Sequence, residues 1–201
     1  MAKQAERRAA TIEAILKAAR RLFGERGFAA TTIDDIAEAA RVAKGAVYHH
    51  FTTKEAIFES VFDEVSRDLV RDVDRAARTE KDMLAAMVTG TQLYFAACAK
   101  GPTCRIILRD GPAVLGWERW REIDAKHFGG KIPLALAAAM DAGLIARQPV
   151  EPLARLLLGA MTEAAVATAG RSDIARAGAE YSRAFKSLLE ALRLRQSGRV
   201  P

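Results

Sequence analysis

Residues 31–54, TTIDDIAEAARVAKGAVYHHFTTK, compress two short helical patterns and the start of a third into one small stretch. Thr32 is placed to act as N-cap of the first helix, its side-chain oxygen accepting from a first-turn N–H. Asp35, three positions on, is placed for the reciprocal half of a capping box. Ile33, Ile36, Ala37 and Ala40 then fall on one side of that helix. A tight turn must come next. A second helix is expected from about Lys44 to His50, with Val47 and Phe51 spaced to pack inward and Lys44, Tyr48 and His49 left facing out. Two short helices joined by a turn of three or four residues form a helix-turn-helix, whose second helix lies in the DNA major groove.

Upstream, from about Ala9 to Arg26, Ile12, Ile15, Leu16, Ala19, Leu22 and Phe23 recur at the spacing of one helical face. Gly27 stands where a helix stops in a left-handed conformation, and Phe28 can fold back on the last turn. Downstream, Thr52 or Thr53 caps a long helix whose stripe is Ile57, Phe58, Val61, Phe62, Val65 and Leu69 and which runs to about Arg78. A further helix spans Asp82 to Ala99, closed by Gly101-Pro102, and a short helical piece from Cys104 to Arg109 ends at Gly111-Pro112. From Leu115 to Gly143 the pattern is helical, with a kink or break expected at Gly129-Gly130 and Pro133. The last two helices cover Pro152–Ala169 and Ile174–Leu194, and the tail RQSGRVP is expected to fray.

The whole is therefore expected to be all-α, with about nine helices: a three-helix unit over residues 1–52 and a larger helical body over 53–201. Half of the 201 residues are hydrophobic and only six are proline, as a mostly helical protein requires. The net charge is +6 and the pI about 9.6, which permits binding to a polyanion without proving it. Residues 1–55 carry ten Lys and Arg against seven Asp and Glu, so a quarter of the chain holds half of the excess. The opening MAKQAERRAATIEA has no apolar h-region, and no stretch approaches the roughly 18 uninterrupted apolar residues of a membrane span, so a cytoplasmic protein is expected. Two cysteines, Cys98 and Cys104, suit a reducing compartment.

The three-helix start, the F-x-x-K junction into a long helix and the all-helical remainder resemble the TetR family of transcriptional regulators. The residues that carry the resemblance are Thr32, Ile36, Ala37, Ala40, Val42, Lys44, Gly45, Tyr48, His49, Phe51 and Lys54, within residues 8 to 56. The resemblance implies a homodimer that binds a palindromic double-stranded DNA operator, usually as a repressor, and lets go when a small molecule enters each subunit. It implies phosphate contacts by Thr32, Tyr48 and Lys54. It also implies an approach to base edges or backbone by Lys44, Gly45, Ala46 and His49. Thr32 and Lys54 lie beside helix N-termini, where unpaired N–H groups favour an anion. Two positions depart from the family pattern. Arg41 stands where Gly is common, at a cost on the order of 1 kcal/mol that a contact to a phosphate would partly offset. Ala43 stands where a Ser or Thr cap is common, at a cost of about 1 kcal/mol.

Each sharper reading has a plainer rival. Trp117, Trp120, Arg121, Asp124 and Phe128 fall on one helical face and could line a ligand pocket, with Tyr94 and Phe95 from the preceding helix; the rival is ordinary core with a solvent-side bridge. Leu153, Leu157, Ala160, Met161 and Ala164, with Tyr181, Phe185, Leu188 and Leu192, could pack only within the subunit, but two apolar stripes at the chain end favour a dimer four-helix bundle. His49 and His50 point about 100° apart on a helix and have no ligand partner nearby, so no metal is expected. Cys98 and Cys104 flank a Gly-Pro break and could form a redox pair, though free cysteines are usually small buried apolar residues. An enzyme is disfavoured: there are three histidines, no nucleophile elbow, no phosphate loop, and only Asp124 with His127 as an acid–histidine pair. No cofactor is expected. A DNA-binding protein without a ligand remains the alternative.

Overall fold

A computed structural model describes residues 2–169 and 171–194, with side chains from Gln4 onward; the tail RQSGRVP lies outside the described residues. The helices are α1 (Ala2–Arg26), α2 (Ile33–Ala40), α3 (Lys44–His50), α4 (Lys54–Ala77), α5 (Met83–Cys98), α6 (Gly101–Cys104), α7 (Gly111–Leu115), α8 (Trp117–Asp124), α9 (Lys131–Asp141), α10 (Val150–Ala169) and α11 (Ile174–Ala191). A π-helical segment, Arg105–Asp110, joins α6 to α7, and another, Ala125–Gly129, comes after α8. Counting across these π segments and the single turn residue Gly130, the described residues form nine helical runs and no strand. None of these helices is long and apolar enough to cross a membrane.

The π segments explain two departures from the sequence pattern. Pro112 and Pro133 have no N–H to give to the carbonyls four residues back, so the preceding turn must pair otherwise, and widening it is one solution. The short piece expected at Cys104–Arg109 is thus part of a longer run, and the break expected near Gly129-Gly130 takes the form of a π segment and a turn. Each π turn also rotates the downstream residues relative to a plain α-helix, so faces read at 3.6-residue spacing are lost across it.

The described residues fall into two compact units. One is drawn from Met1–Arg67 and Lys100–Ile123, the other from Asp68–Ala99 and Asp124–Pro201. In the first, Ile15, Leu22, Phe23, Ile36, Val47, Ile57, Phe58 and Phe62 are fully buried. The rings of Phe23, Phe28 and Phe58 form a triad with centroids 5.3–5.7 Å apart. Edge-to-face rings of this kind add about 0.5–1.5 kcal/mol per pair beyond area burial. Helix α1 stops at Gly27, whose φ of 87° suits glycine and whose N–H donates to Phe23 O at 3.0 Å.

Segment 100–123, which the sequence pattern places in the body, packs in the first unit. Asp110 Oδ2 accepts from the Phe28 N–H at 2.7 Å, and Arg105 donates to the Glu25 carbonyl, so both bind the end of α1. Trp120 is buried there, its indole N–H donating to Ile107 O at 2.8 Å. The compact units therefore do not coincide with a division at 52/53, which separates roles more than it separates packing.

In the second unit α5 is central and packs most extensively on α11, then on α9 and α10. Asp82 caps α5 by accepting from the Ala85 N–H at 2.8 Å and also pairs with Arg193 at 3.0 Å. That pair draws the chain out of α11 early. Leu192 is a C-cap, and Leu194 donates its N–H to Leu144 O at 2.8 Å, so the expected run to Leu194 ends instead at Ala191.

Gly111 marks the tightest packing in the first unit. A Cβ built there would lie 2.9 Å from both Phe62 Cε2 and Trp120 Cδ1. Gly111→Ala should lower the unfolding free energy by about 1–3 kcal/mol, read from urea denaturation, because neither buried ring has room to retreat.

Candidate nucleic-acid interface and cavity

Helix α2 begins as its sequence dictates. Thr32 Oγ1 accepts from the Asp35 N–H at 3.1 Å while Asp35 Oδ2 accepts from the Thr32 N–H at 2.8 Å, completing the capping box. The Thr32 bonds hold the Asp35 carboxyl below its usual pKa. Arg41 ends α2 in the left-handed region, φ 57°, and its N–H reaches back to Ala37 and Glu38. It is the only non-glycine at positive φ among the described residues. Ala43, the N-cap of α3, makes no side-chain cap bond. Both departures are thus real features of the turn.

On α3, Val47 is fully buried while Lys44, Gly45, Tyr48 and His49 are exposed and Ala46 is half-buried. A Cβ at Gly45 would meet nothing within 4 Å, so the helix start presents open surface. Lys44 pairs with Asp34 at 2.8 Å, which raises its pKa; both groups are exposed, so the pair is readily exchanged for another anion. Thr32 and Arg41 are exposed beside them.

Lys54 departs from expectation. Its ammonium donates to Phe28 O and Thr31 O, each at 2.9 Å, and stands 4.1 Å from the centroid of the Phe28 ring. An amine engaged on two carbonyls and an aromatic face is an internal brace, which takes it out of the set of phosphate contacts.

The second unit contains a cavity of about 300 Å³ lined chiefly by Val73, Met83, Met87, Gly90, Thr91, Tyr94, Phe128, Ile132, Ala135, Leu157, Met161 and Phe185. Lys131 and Asp74, paired at 2.7 Å, add the charged groups of its wall. Of the pocket residues expected from sequence, Tyr94 and Phe128 line it, their rings edge to face at 5.5 Å. Phe95 is buried but does not line it. Trp117, Trp120 and Arg121 belong to the first unit: Trp120 is core, Trp117 is exposed and stacked on it at 4.9 Å, and the Arg121 guanidinium lies 5.0 Å from the Trp117 ring. The single helical face assumed for residues 117–128 is interrupted by the π segment at Ala125, which is why Phe128 parts from the tryptophans.

Asp124 is half-buried and outside the lining; desolvation pushes its carboxyl up to about 6. Burial likewise pushes the Tyr94 phenol well up, with Cys98 and Asp124 adding to it, so the hydroxyl stays protonated. Sequence reasoning misses the methionines and assigns Leu157, Met161 and Phe185 to a dimer face. Only their side of each helix, invisible in an apolar stripe wider than one contact, distinguishes the two roles.

Leu157, Ala164 and Phe185 are buried within the chain, and Leu153, Met161 and Leu192 are half-buried. The apolar groups of α10 and α11 that remain exposed are Leu156 at 71%, Leu188 at 47% and Tyr181 at 37%, with Gly159 and Ala160. The outward stripe is therefore displaced by one position from the expected Leu153–Leu157 row. Cys98 and Cys104 are buried free thiols in different units, and desolvation raises the Cys104 pKa, away from reactivity. Among the described residues no group of His, Cys, Asp and Glu could hold a metal ion.

Residues 15–61 match the family model described as bacterial regulatory proteins, tetR family, and residues 84–192 match the one described as tetracyclin repressor-like, C-terminal domain. The transposon Tn10 TetC protein of Escherichia coli is 22% identical over 193 residues, 94% of this chain and 96% of that protein. The HTH-type transcriptional repressor KstR2 of Rhodococcus jostii RHA1 is 37% identical over 78 residues, 37% of this chain and 38% of that one. The crystal structure of a TetR-family transcriptional regulator from Pectobacterium atrosepticum superposes with a TM-score of 0.83 at 27% identity, covering 97% of this chain and 98% of that one. RolR, solved with resorcinol, shares the fold at a TM-score of 0.73 and 15% identity, covering 96% and 92%.

The brace role of Lys54 has its own measurable consequence. Lys54→Met keeps the apolar stem but leaves the Phe28 and Thr31 carbonyls without their donor, so the urea midpoint should fall by the equivalent of about 1–3 kcal/mol.

Proposed function

Since this chain belongs to the TetR family of bacterial regulatory proteins, and is thus a helix-turn-helix transcriptional regulator, we propose that it represses by binding a palindromic operator as a homodimer and releases it on taking up a small apolar molecule. The observation that carries the DNA reading is the outward face of α3, where Lys44, Gly45, Tyr48 and His49 are exposed on a helix whose Val47 anchors it. Small residues let the helix start sit deep in the groove, and Tyr48 offers a hydroxyl on a rigid ring, suited to fixing register on a phosphate. Thr32, Arg41 and Ala46 complete the contact set. Roles divide at 52/53, with residues 1–52 addressing DNA and 53–201 serving ligand and dimer, although 100–123 packs with the reading head. In a dimer with two half-sites, recognition helices lie about one turn apart or slightly more, roughly 34 to 40 Å.

The partner surface is proposed from Leu156, Ala160, Tyr181 and Leu188, with Gly159 permitting close helix approach in a four-helix bundle. The cavity supports effector binding over the ligand-independent alternative. Its walls are overwhelmingly apolar, it has an aromatic edge in Tyr94 and Phe128, and three of the five methionines, Met83, Met87 and Met161, give it an adaptable surface. RolR, which shares this fold, was solved with a small phenolic ligand, in keeping with a compact, largely apolar effector here.

Selection of bound duplexes from random DNA, followed by anisotropy titration, tests the first part. Tyr48→Ala should weaken binding to the selected site at least about tenfold, as loss of a positioning contact does, while the mass in solution stays that of a dimer; wild-type protein that enriches no sequence would sink the reading. For the effector, a panel of apolar compounds should raise the melting temperature and release DNA. Ala135→Phe, which narrows the cavity, should abolish that response while leaving DNA affinity intact, and a response that survives it would move the ligand site elsewhere.

A further inference from the structure

Helix α1 is longer than the apolar pattern from Ala9 implies. It starts at Ala2, and the added turns carry Arg7 and Arg8 along the helix. Gln4, Arg7, Arg8 and Thr11 fall at i, i+3, i+4 and i+7, one face of α1, and with His49 and His50 at the end of α3 they line a cleft of about 540 Å³. Among the described residues that lining includes two guanidinium groups and no carboxylate. The two imidazoles meet edge to face at 5.0 Å.

The state of His50 shows where the charge lies. Its Nδ1 is shut off from solvent and has no hydrogen-bond partner, and its pKa is lowered by burial, by His49 and by Arg8. His50 is accordingly neutral near neutral pH, and Arg8 stands close enough to repel a proton from it. The cation at this place is arginine, permanently charged and able to hold a phosphate through two parallel N–H donors. Arg7 and Arg8 are both exposed, while Thr11, half-buried, donates its hydroxyl to Arg7 O at 2.9 Å and so steadies the turn that carries them.

The geometry points to this cleft as a backbone clamp: a phosphodiester of the operator sits in it, held by Arg7 and Arg8, beside the bases that α3 addresses. This rests on the DNA-binding reading above. The occupant is DNA, in preference to a free anion, because His49 is shared: it is an exposed residue of α3 and a wall of the cleft, so the strand that α3 tracks passes the mouth. Phosphate contacts of this sort fix register and add affinity without adding sequence preference.

The test is anisotropy on the selected operator over a salt series, using the full-length chain. Arg7→Ala with Arg8→Ala should reduce affinity about tenfold or more on every duplex, specific or not, and flatten the log–log salt slope by roughly 2, at about 0.9 per lost phosphate contact. Arg7→Lys with Arg8→Lys should keep the wild-type slope, since the charges remain. Unchanged affinity and slope in the alanine pair, alongside lost binding in Tyr48→Ala, would overturn the clamp and leave the function standing. Equal loss in the lysine and alanine pairs would also overturn it, by assigning these residues to the shape of α1. Inorganic phosphate titrated by ³¹P NMR provides the remaining arm: binding that the alanine pair abolishes, with DNA affinity untouched, would make the cleft a free-anion site and overturn the clamp. Wild-type protein that binds no duplex would instead sink the proposed function itself.

Discussion

One ammonium group holds the reading head together. Lys54, the first residue of α4, donates to the carbonyls of Phe28 and Thr31 and covers the Phe28 ring. Those carbonyls belong to the connection between α1 and α2, where no helix supplies them with a partner. A buried carbonyl without a donor costs about 1–3 kcal/mol, so the amine makes possible a turn that packs an aromatic ring and exposes its backbone. On the other side the Phe28 N–H is taken by Asp110, so one residue is fixed by a cation, an anion and two rings. The entry to α2, and with it the pose of α3, depends on that arrangement.

The turn between α2 and α3 is accordingly a stressed element held by well-made neighbours. Arg41 in the left-handed region costs about 1 kcal/mol, and Ala43 forgoes a cap worth a similar amount. The capping box of Thr32 and Asp35 and the buried Ile36, Ala37 and Val47 offset this. Residues that contact DNA must stay exposed and polar, so the stability of so small a unit has to come from its rear. The segment 100–123 contributes there, through Arg105, Asp110 and Trp120.

The second unit obeys a different logic. Proline at 133 removes a helix donor, and the π segment before it alters which side chains share a face. Phe128 joins Tyr94 at a cavity edge, while Trp120 closes a core in the other unit. Methionine side chains fill much of the remaining wall, and their flexibility suits a space that opens or collapses around an occupant.

The helices themselves were legible because their signals are local. Thr32 with Asp35, Gly27, the Gly-Pro pairs and the 3.6-residue stripes act over four or five residues, and the described ends of most helices are set by them. The outward residues of α3 were legible for the same reason: Val47 and Phe51 claim the inner face, leaving Lys44, Tyr48 and His49 nowhere else to go. Tertiary structure alone decided how those local pieces were used. Lys54 became a brace because two carbonyls distant in sequence needed a donor, and Leu157 and Phe185 turned to a cavity because α10 and α11 are apolar on more than one side. Periodicity reports which residues avoid water, and only packing determines which neighbour replaces it.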